Sequence, residues 1–237
     1  MNRDAQKRAA AERAVTHVAS GMRLGLGTGS TARHVVDIIG AKLRAGTLRD
    51  IVAVPTSRAT EAHARSLDIP LAALDDVVDL DLAIDGADEI DPRLDLIKGL
   101  GGALLWEKIV EFAAARLIIV ADDSKLVQRL GEKAPLPVEV VPFGARALLP
   151  FFRSLGADPD IRAQDDGQPY ITDGGHYIVD LRFDGGMRDA ADVERALRTR
   201  PGIVETGLFL GMADVAVIAG ENGVSVLERT RQGSGTG

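Results

Sequence analysis

The sequence of 237 residues predicts an α/β fold: a doubly wound, mostly parallel sheet carrying a smaller inserted α+β domain of ferredoxin-like type. Three observations lead there. Helical and strand periods alternate through the first 130 residues, a glycine-rich turn follows the first strand, and after residue 130 paired strands and short helices replace that alternation.

Ala11, Val15 and Val18 recur at helical spacing, and Met22, Leu24 and Leu26 then alternate as a short strand. Beyond the glycine turn, Val35, Ile38, Ile39 and Leu43 mark a helix, residues 51–54 (IVAV) a buried strand, and 59–66 another helix. Residues 82–85 (LAID), a helix over about 102–116 and the run LIIVA at 117–121 continue the pattern. Such alternation implies a parallel sheet with crossover helices.

The inserted domain is predicted over 131–204, between segments 1–130 and 205–230 of a Rossmann-like main domain. It holds a strand at 138–141, a helix ending near Leu155, two strands joined through Asp173-Gly174-Gly175, and a helix over 190–198. The runs GLFLGMADVAVIAG and VSVLER are expected to rejoin the first sheet, and 231–237 reads as a disordered tail.

Hydrophobic residues make up 46% of the chain, enough for a large core. The formal charge of -7 offers no general attraction to nucleic acid or anionic membranes, so any phosphate partner must be held by local groups, and a small anionic metabolite is still permitted. With no cysteine there is neither a disulfide framework nor a thiolate zinc site. His17, His34, His63 and His176 lack metal-ligand spacing, so no metal is assigned. No apolar run reaches the ~20 residues of a membrane span, and the opening residues lack a secretory apolar stretch, so a soluble cytoplasmic protein is expected.

In Gly25-Leu26-Gly27-Thr28-Gly29-Ser30-Thr31, glycines at a strand end let backbone N–H groups turn toward an anion, and the following helix adds its positive end. A dinucleotide fingerprint would need an acid after the second strand, where Pro55-Thr56-Ser57 stands, and a triphosphate loop would need a lysine that is absent. A monophosphate cradle and an ordinary capped turn both remain open on this loop alone.

The strand 82–85 runs into Gly86-Ala87-Asp88-Glu89-Ile90-Asp91, so Asp85 begins a crowd of four acids at a strand's carboxyl end, where open α/β sheets bind ligands. A hydrated loop, a divalent-metal site and proton-transfer carboxylates all suit that composition. Next comes Ile97-Lys98-Gly99-Leu100-Gly101-Gly102-Ala103-Leu104-Leu105-Trp106-Glu107-Lys108, a glycine turn opening a helix. There Leu104, Leu105, Ile109 and Phe112 supply the expected buried stripe, and Glu107 alone reads equally well as a surface ion-pair partner.

These segments, with Asp122-Asp123-Ser124-Lys125, resemble in order and spacing the signature set of the A-type ribose-5-phosphate isomerases: GxGTGST, DGADE, KGxGGAL with its Glu-Lys pair, and D-x-S-K. The resemblance is dense in the first domain and looser elsewhere. It departs from the family at Leu100, where glycine is frequent, and at Trp106, where arginine often precedes the glutamate.

That resemblance implies a cofactor-free aldose–ketose isomerase acting on ribose 5-phosphate and ribulose 5-phosphate in the non-oxidative pentose phosphate pathway. It implies Glu107 as the base moving a proton between C1 and C2, with Asp85, Asp88 and Lys98 around the sugar oxygens. Thr28, Gly29, Ser30, Thr31, Gly86, Ala87, Gly99, Leu100, Gly101 and Lys125 complete the implied binding set. Lys98 is suited to the enediolate charge, and Asp85 is the candidate for ring opening. A phosphosugar sensor of the same fold is the alternative, and it would not need Glu107. A related deaminase would bring a histidine to the acidic loop, and a CoA transferase a different glutamate context; neither is present. A homodimer or homotetramer is expected from an apolar surface containing Phe143, Phe151 and Phe152.

Overall fold

The computed structural model describes residues 2–230, so the tail predicted at 231–237 lies outside the described residues. The first half runs α1 (Arg3–Val15), β1 (Arg23–Leu26), α2 (Ser30–Arg44), β2 (Val52–Pro55), α3 (Arg58–Ser66), β3 (Leu82–Asp85), β4 (Glu89–Ile90), β5 (Leu96–Ile97), α4 (Leu104–Phe112) and β6 (Leu117–Asp122). The second half runs β7 (Leu136–Val140), α5 (Leu149–Ser154), β8 (Ala157–Ile161), β9 (Tyr177–Phe183), α6 (Ala190–Arg198), β10 (Ile203–Thr206), β11 (Leu208–Phe209), β12 (Val215–Gly220) and β13 (Gly223–Glu228).

The main sheet has the order β13-β12-β6-β3-β1-β2 and is parallel except for the final hairpin strand β13. Every residue of β6 is buried, as a central parallel strand covered on both faces requires. Leu24, Leu26, Ile118 and Val120 turn to one face, where Ala10, Ala14, Val35 and Ile39 of α1 and α2 cover them. Ala83, Ile119 and Ala216 turn to the other. Asn2 caps α1 and Ser57 caps α3, each accepting a backbone N–H from three residues on.

The chain leaves β1 toward β2 on one side and returns to β3 on the other. The sheet order therefore reverses between β1 and β3, and a crevice opens beyond their carboxyl ends. The loop after β1 and Asp85 at the end of β3 meet there.

The second sheet is antiparallel in the order β10-β7-β9-β8, built from the element run β7-α5-β8-β9-α6-β10, which is the ferredoxin-like arrangement. Its edge strand β8 carries Pro159, tolerated where no partner needs the missing N–H. Phe152 is fully buried in this sheet's core with Val138, Val179 and Leu197. Of the three phenylalanines read as surface, only Phe143 is largely exposed, while Phe151 packs against that core.

Other expectations change too. β8 and β9 are separated by residues 162–176, an excursion with its own Ala163–Pro169 bridge, instead of a tight hairpin. The segment GLFL does not enter the main sheet: β11 pairs with β5, which pairs with β4, forming a third, three-stranded sheet. The helix read over 102–116 stops at Phe112 because the following backbone bonds to Leu80, Leu80 N–H donating to Ala113 and Ala115 N–H to Leu80.

The buried face of α4 consists of Leu104, Glu107, Lys108, Val110 and Glu111, while Ile109 and Phe112 are 49% and 83% exposed. Apolar periodicity mislocates this face because the charged residues find partners inside, and burial follows pairing as well as hydrophobicity.

Candidate active site

At the end of β1, Gly27 lies so close to β3 that a Cβ would fall inside the Asp85 carboxylate. Gly29, at φ 109°, turns the chain through the left-handed region and starts α2 without a side-chain cap, leaving that helix's first N–H groups available to an anion. The Thr28 hydroxyl is held by Thr56, Ser57 and Thr60 at 2.7, 2.8 and 3.0 Å. The loop is thus fixed before any ligand arrives.

Asp85, 1% exposed, accepts the N–H groups of Thr28 at 2.9 Å and Gly86 at 2.6 Å on Oδ1. Its Oδ2 faces the Lys98 ammonium at 2.9 Å. Lys98 Nζ also donates to the Gly86 carbonyl at 2.6 Å and lies 3.6 Å from Glu107 and 3.2 Å from Glu111. Burial works against its charge, but Asp85, Glu107 and Glu111 outweigh that, holding its pKa well above the ordinary lysine range.

Glu107 is pushed up to about 8, chiefly by burial, with Asp85 and Asp88 adding to the rise and Lys98 opposing it. Asp88 is raised as well, mainly by burial, against the pull of the Leu100 N–H that it accepts at 2.9 Å.

Thr28, Gly29, Ser30, Thr31, Gly86, Ala87, Asp88, Lys98, Gly99, Gly101, Glu107 and Lys125 line one cleft of about 110 Å³. Two members of the expected set stand apart. Asp85 lies behind the wall, and Leu100 contributes its N–H to Asp88 while its side chain is exposed. Trp106 faces a different groove, with Pro55 and Leu74, so its departure from the family pattern falls outside the cleft. The four acids of 85–91 divide: Glu89 accepts backbone N–H groups from Gly131, Lys133 and Ala134, and Asp91 those of Arg93 and Asp95. The last two are fold anchors, which leaves Asp85 and Asp88 to the site.

Sequence reasoning missed Lys7 and Glu111. Lys7 reaches from α1 to the Ser30 hydroxyl at 2.8 Å and lines the cleft. Its signal was phase, since position 7 falls on the same helical stripe as Ala11 and Ala14. Glu111 lies one turn beyond Glu107, in phase with it.

The family described as ribose 5-phosphate isomerase A (phosphoriboisomerase A) matches residues 52–223. The chain belongs to this family. It is an aldose–ketose isomerase, a ribose-5-phosphate isomerase of the A type. The ribose-5-phosphate isomerase A of Nitrobacter hamburgensis is 51% identical over 97% of this chain and the whole of that protein. A probable chloroplastic ribose-5-phosphate isomerase of Arabidopsis thaliana is 50% identical over 97% of this chain and 85% of its own length. A solved ribose-5-phosphate isomerase in complex with phospho-erythronic acid superposes with a TM-score of 0.94, at 41% identity over 97% of this chain and all of that one. That of Plasmodium falciparum gives 0.92, at 39% identity over 96% and 99%. Among the described residues no helix is long and apolar enough to cross a membrane.

Proposed function

We propose that this isomerase binds opened ribose 5-phosphate with its phosphate on residues 28–31, between Lys7 and Lys125, and its C1 and C2 beside Glu107. One observation carries this: Glu107, Lys98 and the loop 28–31 line the same small cleft. A sensor would need only the phosphate cradle, whereas here a raised carboxyl stands beside a buried cation.

The hydrogen next to a carbonyl is already acidic. Glu107 takes it from C2 of the aldose, the electron pair moves to O1, and the enediolate so formed is stabilised by the Lys98 ammonium. C1 and C2 are bonded neighbours, so the same carboxyl returns the proton to C1 from the same face of the planar enediol, and the hydroxyl proton passes from O2 to O1. The route requires no second base and no metal.

The cyclic aldose must first open, with a proton moving from the C1 hydroxyl to the ring oxygen. Asp85 is the sequence-based candidate, but both its oxygens are engaged behind the wall. We assign ring opening to Asp88, which lines the cleft, and leave Asp85 the task of holding Lys98. Asp88→Asn is expected to slow conversion of the cyclic aldose more than solvent-isotope exchange at C1 of the open-chain ketose; equal losses in the two assays would remove Asp88 from that step.

For the base, Glu107→Gln should lower kcat by ~10²- to 10⁴-fold, the usual share of a positioned acid–base group. Calorimetric affinity for ribose 5-phosphate should change only a few-fold, because the phosphate is held elsewhere. Turnover within tenfold of wild type in metal-free deuterated buffer would refute the assignment.

We also propose that the enzyme works in the cytoplasm: a charged sugar phosphate does not cross membranes unaided, so enzyme and substrate must share one compartment. We further propose a homodimer or homotetramer, supported by Phe143, 93% exposed. Light scattering at micromolar protein tests it, and a monomeric mass would overturn it.

A further inference from the structure

Three acids and one lysine meet at the floor of the cleft: Lys98 after β5 and Glu107 from α4 line it, and Asp85 from β3 and Glu111 from α4 lie behind them, none more than 4% exposed. With all four ionised the cluster would carry two uncompensated negative charges where water is nearly excluded, so at least one acid keeps its proton. Asp85 accepts two backbone N–H groups on Oδ1, and Glu107 borders the cleft. Glu111 has neither advantage. Its side chain is fully buried, among the described residues no N–H donates to either oxygen, and its charged or titratable neighbours there are Lys98, Asp85 and Glu107. Lys108, the next basic residue on the helix, is committed to Glu205 and the Thr206 carbonyl.

We propose that Glu111 is a positioning residue of the isomerase, a carboxyl beneath the cleft that keeps its proton, hydrogen-bonds through it to Asp85, and steers the Lys98 ammonium toward the substrate oxygens. Burial first, and the neighbouring Asp85 and Glu107 next, raise its pKa well above the carboxylate range, in keeping with this role. An ionised Glu111 would draw Lys98 inward and compete with the enediolate for its charge. A neutral one supports the ammonium from behind and leaves that charge to the transition state.

This inference rests on the site reading above, and the test separates the two. Glu111→Leu keeps the volume and removes the donor. It should lower kcat by about 10²-fold, as a small displacement of a reacting group does, with ribose 5-phosphate affinity nearly unchanged. Glu111→Gln, neutral and able to donate to Asp85, should recover most of that loss and leave the pH profile of kcat/KM in place. In D₂O at neutral pH, the infrared difference between wild type and Glu111→Gln should contain the C=O stretch of a protonated carboxyl. Full turnover by the leucine variant, a glutamine variant as impaired as the leucine one or shifted in pH profile, or no acid stretch would each overturn the proposal. The glutamine kinetics and the infrared band decide if the leucine variant does not fold. Glu107→Gln, measured alongside, keeps the outcomes apart: if it turns over, the site reading fails; if it is silent while Glu111→Leu is active, only this inference fails.

Discussion

Gly27 shows how little room the site leaves at the scale of one residue. Gly27→Ala is expected to push the Asp85 carboxyl off the Thr28 and Gly86 N–H groups. The overpacking should cost ~1–3 kcal/mol in urea unfolding, with a loss of kcat that a distant alanine substitution would not give. Glu107 makes a pH prediction. Its ionised form is the base, so kcat/KM should climb as pH rises, with an apparent pKa well above 4.5 and toward 8 in the free enzyme. The stability consequence has the opposite sign. The folded-state value lies above the unfolded one, so what this carboxyl contributes to stability is complete below pH 4.5 and lost as pH rises to about 8. The melting temperature of Glu107→Gln should therefore gain on wild type across that interval, and a constant difference would contradict the raised value. The glycines and acids of the cleft were legible because each serves a local need, a positive φ or a strand-end carboxylate. Lys7 was not, since a lysine on a helix usually marks a solvated face.

α4 is the element that periodicity describes least well. Read as amphipathic, it should bury Ile109 and Phe112; in the structure those two face outward and Glu107, Lys108 and Glu111 face inward. Phe112→Ser should change unfolding free energy by no more than ~0.5 kcal/mol. Leu104→Ala, at a fully buried position, should cost ~2–5 kcal/mol. A large loss at Phe112 would mean that another subunit covers it. The parallel strands, by contrast, were legible almost to the residue, because strands buried on both faces read as continuous apolar runs. β4, β5 and β11, two residues each, carry no period at all and exist only through tertiary pairing.

At the scale of the whole molecule, the antiparallel sheet reaches into the site. Arg162 holds Asp180 at 2.6 Å and donates to the Gly99 and Leu100 carbonyls at 3.1 and 3.0 Å, pinning the turn that presents Lys98. Arg162→Met should raise KM by about tenfold, the worth of a lost charged hydrogen bond, and steady-state kinetics would show it. An unchanged KM would make the antiparallel sheet a bystander. Nothing in the sequence near Arg162 announces this link, because its partners lie 62 and 63 positions away and are backbone atoms.

The pairing of Lys108 with Glu205 and the Thr206 carbonyl sets an order of events during synthesis. The helix bearing the base cannot bury its lysine until a strand nearly a hundred positions later has left the ribosome and folded beside it. A nascent chain stopped short of Thr206 thus carries every residue of the cleft and is expected to lack an assembled catalyst. The last part of the chain switches on the chemistry of the first.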